Sequence, residues 1–170
     1  MLEVTSFSID HERLEPGLYV SWEVPYRDMS HLILDLRLRR PNRDPIMSDE
    51  ESHSYEHAFA MSFRQATEEL GLMEDYFPLY FGPMGCKTGF YILFSTPEEG
   101  ARIPLELLVR TTELIDQLQE VPAKSSLECG HYHSLDLAAL QRVNGEVKAI
   151  LKNLIDNKKD RDHYPGQGEA

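Results

Sequence analysis

Between His31 and Arg39 the chain reads HLILDLRLR, in which Leu32, Leu34, Leu36 and Leu38 alternate with Ile33, Asp35, Arg37 and Arg39. Successive side chains of a strand point to opposite faces, whereas a helix would scatter leucines at this spacing around its surface. The segment can bury its four leucines together only as a strand with one apolar face. Such a strand needs paired neighbours and a covering layer. The preceding GLYVSWEV, residues 17–24, reads as its first neighbour.

RPNRDP then breaks the chain, and the pattern changes to that of a helix. Ser48 is placed as N-cap with Glu51 three residues on, the spacing of a capping box. The helix runs to Leu70, where Gly71 supplies a stop. TGFYILFS, residues 88–95, reads as a further strand. A second capping box is expected at Thr96-Pro97-Glu98-Glu99, with a main helix from Leu105 to Leu118 and another from Leu135 to Asp156 that tolerates Gly145. The order of strands, helix, strand, helix, helix fits an α+β fold better than a parallel doubly wound sheet. Residues 1–156 form one expected domain. The tail NKKDRDHYPGQGEA, residues 157–170, has nothing evident to bury and is predicted to be disordered.

At 170 residues the chain is long enough for one real core and too short for two comfortable ones. A net charge of −12 argues against nucleic acid or an anionic membrane as partner, since both reward surplus Lys and Arg. No run of about 18 apolar residues is present and the N-terminus lacks an apolar leader segment, so the expected setting is cytoplasmic. The two cysteines, Cys86 and Cys129, are then expected as free thiols rather than a disulfide.

HSYEH, residues 53–57, carries the first chemical signal. On a helix His53 and His57 lie one turn apart on one face, close enough to share a metal, with Glu56 at the edge of that face. The pattern H-x-x-E-H is that of the inverzincins, although a solvated helix face can show the same residues. Two histidines do not close a site, because catalytic metals usually take three protein ligands and keep a position open. Cys129, in LECGHYHS, is the leading third ligand; Glu128 is a rival and His133 a weaker one. Cys86 sits in GPMGCKTGFY, where Gly82, Pro83, Gly85 and Gly89 predict a tight loop that presents the thiol. Lys87 beside it is expected to favour the thiolate.

Five stretches, SFSIDH, DLRLRRPN, HSYEHAFA, GPMGCKTGFY and CGHYHSLDLA, resemble in order the signature blocks of the S-ribosylhomocysteine lyase (LuxS) family. The resemblance spans the chain from about Ser6 to the last helix. It implies a mainly antiparallel sheet with helices on one side, and a homodimer with active sites between subunits. It also implies one divalent metal per subunit on His53, His57 and Cys129, ferrous iron natively, with zinc as a possible replacement after purification. Glu56 and Cys86 would then be the acid and base, and Ser6, His11 and Arg37 would contact a small thioether sugar. The implied reaction moves a carbonyl along the ribose and eliminates homocysteine, leaving 4,5-dihydroxy-2,3-pentanedione, the autoinducer-2 precursor of quorum sensing.

One departure stands out. The family usually reads Asp-Ile-Ser-Pro-Met-Gly-Cys before the strand, whereas this chain has Tyr80-Phe81-Gly82-Pro83-Met84-Gly85-Cys86. Tyr80 thus replaces an acid near the amino-acid end of the substrate. A carboxylate there could pair with an ammonium; a phenol can only hydrogen-bond. Two other readings remain open at this point: an inverzincin-type metallopeptidase with Glu128 as third ligand, and a non-catalytic metal-binding member of the lyase family.

Overall fold

The computed structural model describes residues 7–97 and 103–165. Strands β1 (Gly17–Tyr26), β2 (Met29–Arg37), β3 (Phe77–Pro83) and β4 (Gly89–Thr96) form one antiparallel sheet in the order β1-β2-β4-β3. Helices α1 (Asp49–Glu69), α2 (Leu105–Asp116) and α3 (Leu137–Asp156) cover one face, giving the α+β class that the order of elements predicts. Leu32, Leu34, Leu36 and Leu38 all enter the shared core, with Phe90, Ile92 and Phe94 beside them from β4. Each such burial is worth about 1.5–3 kcal/mol, which fixes the strand register, since a one-residue slip would turn every leucine outward.

Helix α1 begins as the sequence predicts. Ser48 accepts from the Glu51 amide and Glu51 returns a bond to the Ser48 amide. Its buried stripe, including Tyr55, Phe59 and Phe63, packs on the aromatic residues of β3 and β4. Arg39 joins the end of β2 to both α1 and α3 through Glu51 and Glu146. Asn144, fully buried on α3, donates to Thr112 O and Asp116 on or beside α2, so the helical layer is tied by a satisfied polar group.

Two expectations are corrected here. The stretch before Cys86 is not loop from Gly82 onward, because Phe77–Pro83 is strand β3. It lies at an edge of the sheet, where Pro78 and Pro83 are tolerated, and those prolines hide it from a pattern search. The tail also differs over residues 157–165. Asp162 bridges to Tyr19 alongside β1, and Tyr164 is buried in a second, small cluster with Ile9, Leu14 and Tyr19. Its apolar anchor is one aromatic ring, too little to register as a hydrophobic pattern. The capping box expected at Thr96–Glu99 falls partly outside the described residues, since only Thr96 and Pro97 are among them. Among the described residues no helix is long and apolar enough to cross a membrane.

Candidate metal centre

His53 and His57 project from the same side of α1, their rings 4.7 Å apart and nearly perpendicular. The loop between α2 and α3 brings Cys129 to them, with Sγ 3.4 Å from His53 Nε2. One donor atom from each of the three lies within 4.8 Å of the others, all half-buried. The loop is held there by α1 itself. The Asp136 amide donates to Ser54 Oγ at 2.8 Å, and Asp136 caps α3 through Ala139.

The hydrogen bonds also assign the imidazole nitrogens. His57 Nδ1 lies 3.0 Å from the Pro122 carbonyl, which can only accept, so Nδ1 carries the proton and Nε2 is left with its lone pair. Ser134 Oγ donates to the His131 carbonyl, so it accepts from His53 Nδ1 at 2.6 Å. His53 Nε2, facing Cys129, is likewise unprotonated. Such outer partners orient ligating histidines and make them better donors. The His131 amide donates to Cys129 Sγ at 3.4 Å, which fixes the sulfur in place. Burial, with the neighbouring His57 and His131, holds His53 below the ordinary imidazole range. Two imidazole nitrogens and a cysteine sulfur are the donor types that suit zinc or ferrous iron, so the residues present fit a divalent metal.

Glu56 opens into the same space. His53, Glu56, His57, Ala60, Arg64, Leu79, Tyr80 and Phe81 line a cavity of about 580 Å³. Burial raises the Glu56 carboxyl, with His57 pulling weakly the other way, so this side chain is moved toward the neutral range where a proton-transfer group works. Tyr80, half-exposed at the cavity rim, stands where the sequence comparison placed the altered residue.

Cys86 belongs to a second group. Gly89 lets the strand approach β2 so closely that a Cβ there would lie 2.4 Å from the Leu36 carbonyl, and the turn before it presents Cys86 to solvent. Thr88 Oγ1 is 3.0 Å from Cys86 Sγ, and Arg37 Nη1 reaches the sulfur at 3.6 Å and Thr88 at 2.5 Å. Partial burial pushes the thiol pKa up, but Thr88 and Arg37 outweigh it and leave it below the ordinary value. The expectation about Lys87 is therefore corrected: its ammonium pairs with Asp49 at the start of α1, and Arg37 supplies the positive charge. Arg37 is itself buried and forked onto Asp35, with Nη2 2.6 Å from the carboxylate.

The structure thus gathers His53, His57 and Glu56 at one cavity, with Cys129 completing the donor triad beside it, and Arg37 with Cys86 at another cluster. The Lys87–Asp49 ion pair ties the loop carrying Cys86 to the first turn of α1. His11 is half-buried, hydrogen-bonds the Ile9 carbonyl and lies within electrostatic reach of Asp35. Ser6 lies outside the described residues. The rival ligands fall away from the donor triad: Glu128 binds Ser125 at 2.5 Å, and His133 is exposed against Tyr132. Sequence reasoning missed Ser134, Pro122 and Thr88, whose roles come from hydrogen bonds that no motif spacing announces.

Fold and donor set together define a class: an α+β protein with a three-donor metal-type centre and a partly buried carboxyl, Glu56, at the adjoining cavity. Comparison with known proteins narrows it. A family profile described as S-Ribosylhomocysteinase (LuxS) matches residues 4–161. The S-ribosylhomocysteine lyase of Borrelia garinii subsp. bavariensis is 34% identical over 171 residues, covering 97% of this chain and 100% of the relative. The enzymes of that name from Borreliella burgdorferi and Finegoldia magna are each 32% identical, over 97% of this chain and 100% and 99% of their own lengths. The chain belongs to the S-ribosylhomocysteinase (LuxS) family.

Proposed function

We propose that this protein is a carbon–sulfur lyase that cleaves the thioether of S-ribosylhomocysteine to homocysteine and 4,5-dihydroxy-2,3-pentanedione, the autoinducer-2 precursor. The observation that carries the reading is the His53–His57–Cys129 triad at the cavity holding Glu56, in a chain of this family. A divalent metal on the triad, proposed as ferrous iron with zinc as substitute, supplies a Lewis acid for the sugar carbonyl.

The protein's own groups move the protons. Glu56 and Cys86, one raised and the other lowered toward neutrality, act as acid and base between adjacent sugar carbons. Each transfer shifts the carbonyl by one carbon with no net oxidation. Once the carbon bearing sulfur is β to the carbonyl, loss of the proton from the intervening carbon expels homocysteine thiolate. Ser6, His11 and Arg37 are proposed to face the substrate. Tyr80, on the cavity rim beside Arg64, is proposed to alter the hold on the substrate's amino-acid end.

The protein is further proposed to be a cytoplasmic homodimer with active sites between subunits. Two free thiols agree with a reducing compartment. Support for the dimer comes from the sheet face turned away from the helices, where Trp22, Ile33, Leu93 and Tyr80 fall in one cross-strand row. Trp22 is 58% exposed and Tyr80 54%, an apolar band that a second copy would cover. The function is tested with anaerobic, iron-loaded protein and S-ribosylhomocysteine in a free-thiol assay. Homocysteine release is expected; metal-loaded protein that releases no thiol overturns the reading.

A further inference from the structure

Residues 160–165 run along the β1 edge of the sheet, and Tyr164 reaches the face opposite the helices, where it meets Tyr19 and Asp35. The Asp162 amide donates to the Leu18 carbonyl at 2.7 Å, and the Leu18 amide returns a bond to Asp162 Oδ2 at 3.3 Å. Gly17 makes room for this contact, since a Cβ there would lie 2.5 Å from Asp162 Oδ2. Two residues on, the Tyr164 ring stacks on Tyr19 at 4.7 Å, within 5° of parallel, and is only 3% exposed.

The Tyr164 hydroxyl then does something that anchoring does not require. It donates to Asp35 Oδ2 at 3.0 Å, with Ser21 near the same phenol. Asp35 is buried and accepts the Arg37 fork on both oxygens, Nε to Oδ1 at 3.2 Å and Nη2 to Oδ2 at 2.6 Å. That leaves Nη1 as the nitrogen aimed at Cys86 Sγ and Thr88. Tyr19, the other half of the stack, sends its hydroxyl to the Glu15 carbonyl instead. The two phenols are alike in setting and differ in whether they hold the carboxylate.

We infer that Tyr164 is a positioning residue for Cys86, fixing the Asp35 carboxylate so that the Arg37 guanidinium is set against the thiol. A bidentate fork follows its carboxylate. An Asp35 side chain free to turn would carry Nη1 off the sulfur. The remaining charged and titratable groups facing this chain of contacts are His11, Asp162 and Glu15 near Asp35 and the two tyrosines, and Tyr91 near Cys86. Lys87 is held by Asp49. None of them occupies the position of Arg37. The inference rests on the reading of Cys86 as the reactive thiol, so its test observes that thiol directly and does not use turnover.

The experiment measures alkylation of Cys86 by iodoacetamide as a function of pH in the metal-loaded full chain, with the modified cysteine identified by peptide mass. Tyr164→Phe keeps the stack and removes the hydroxyl. It should move the titration of Cys86 upward by about half to one pH unit, slowing alkylation near neutrality about 3- to 10-fold. Tyr19→Phe removes the neighbouring hydroxyl and should leave the titration in place. Tyr164→Leu, which also loses the stack, should shift it at least as far as Tyr164→Phe. An unmoved or faster profile in either Tyr164 variant overturns the inference, as does an equal shift in Tyr19→Phe. Wild-type Cys86 titrating like an ordinary thiol would overturn the base role as well; a low wild-type titration unmoved by Tyr164→Phe overturns the positioning alone.

Discussion

The two cysteines lie in different surroundings, and if their proposed roles hold, single substitutions should separate them. Cys129 Sγ sits with His53 and His57, so Cys129→Ala should lose most bound metal and thiol release together. Metal binding is linked to folding, and some stability should go with it. Cys86 touches Thr88 and Arg37 and lies outside the donor triad. Cys86→Ala should keep metal and fold while slowing thiol release by about 10²–10⁴-fold, the usual worth of a positioned proton-transfer group. Elemental analysis beside the thiol assay distinguishes them, and the reverse pattern would mean the roles are exchanged. Tyr80 offers a finer test. If a carboxylate at this rim pairs with the substrate ammonium, Tyr80→Asp should raise kcat/KM for S-ribosylhomocysteine, mainly through KM. An efficient wild type that gains nothing would assign that hold to other groups.

At the scale of elements, α1 carries His53, Glu56 and His57, three of the five residues proposed for metal binding and proton transfer, so its start is a stability question with a functional reading. Ser48→Ala removes the cap and should cost about 1 kcal/mol in urea unfolding. Glu51 adds a pH dependence. Burial raises its carboxyl, but the Ser48 amide and the Arg39 guanidinium outweigh that and leave it lowered. A lowered carboxylate contributes stability above its unfolded pKa, about 4.3, and loses it as pH falls through the folded value. The advantage of wild type over Glu51→Gln should therefore be full at neutral pH and shrink in acid; a constant difference would count against the charge. Helix α1 was legible because its cap and HSYEH are local patterns, as were the leucines of β2. Strand β3 was not, since Pro78 and Pro83 are breakers everywhere except at an edge. The Cys86 environment was half legible: the loop showed, but the identity of its cation depended on the fold, where Lys87 turns to Asp49 and Arg37 reaches across from β2.

For the whole molecule, the outward row of Trp22, Ile33, Leu93 and Tyr80 predicts self-association. Light scattering at micromolar concentration should give twice the 19.6 kDa chain mass, and a monomeric mass would argue decisively against the shared site. Trp22→Glu should push the protein toward monomer. The same sheet face holds the Tyr164–Asp35 bond, which joins residues 129 apart. During synthesis the ribosome would deliver β2 well before the segment that completes its buried carboxylate, by roughly 6–26 s at about 5–20 residues per second. The donors His53, His57 and Cys129 are likewise all made before Tyr164, so a nascent chain could gather that triad while the surroundings of Cys86 were still unfinished. If Tyr164 sets Arg37 against Cys86 as inferred, a chain cleaved between α3 and Asp160 would remain in that immature state permanently, its His53–His57–Cys129 triad intact but its Cys86 thiol blunted.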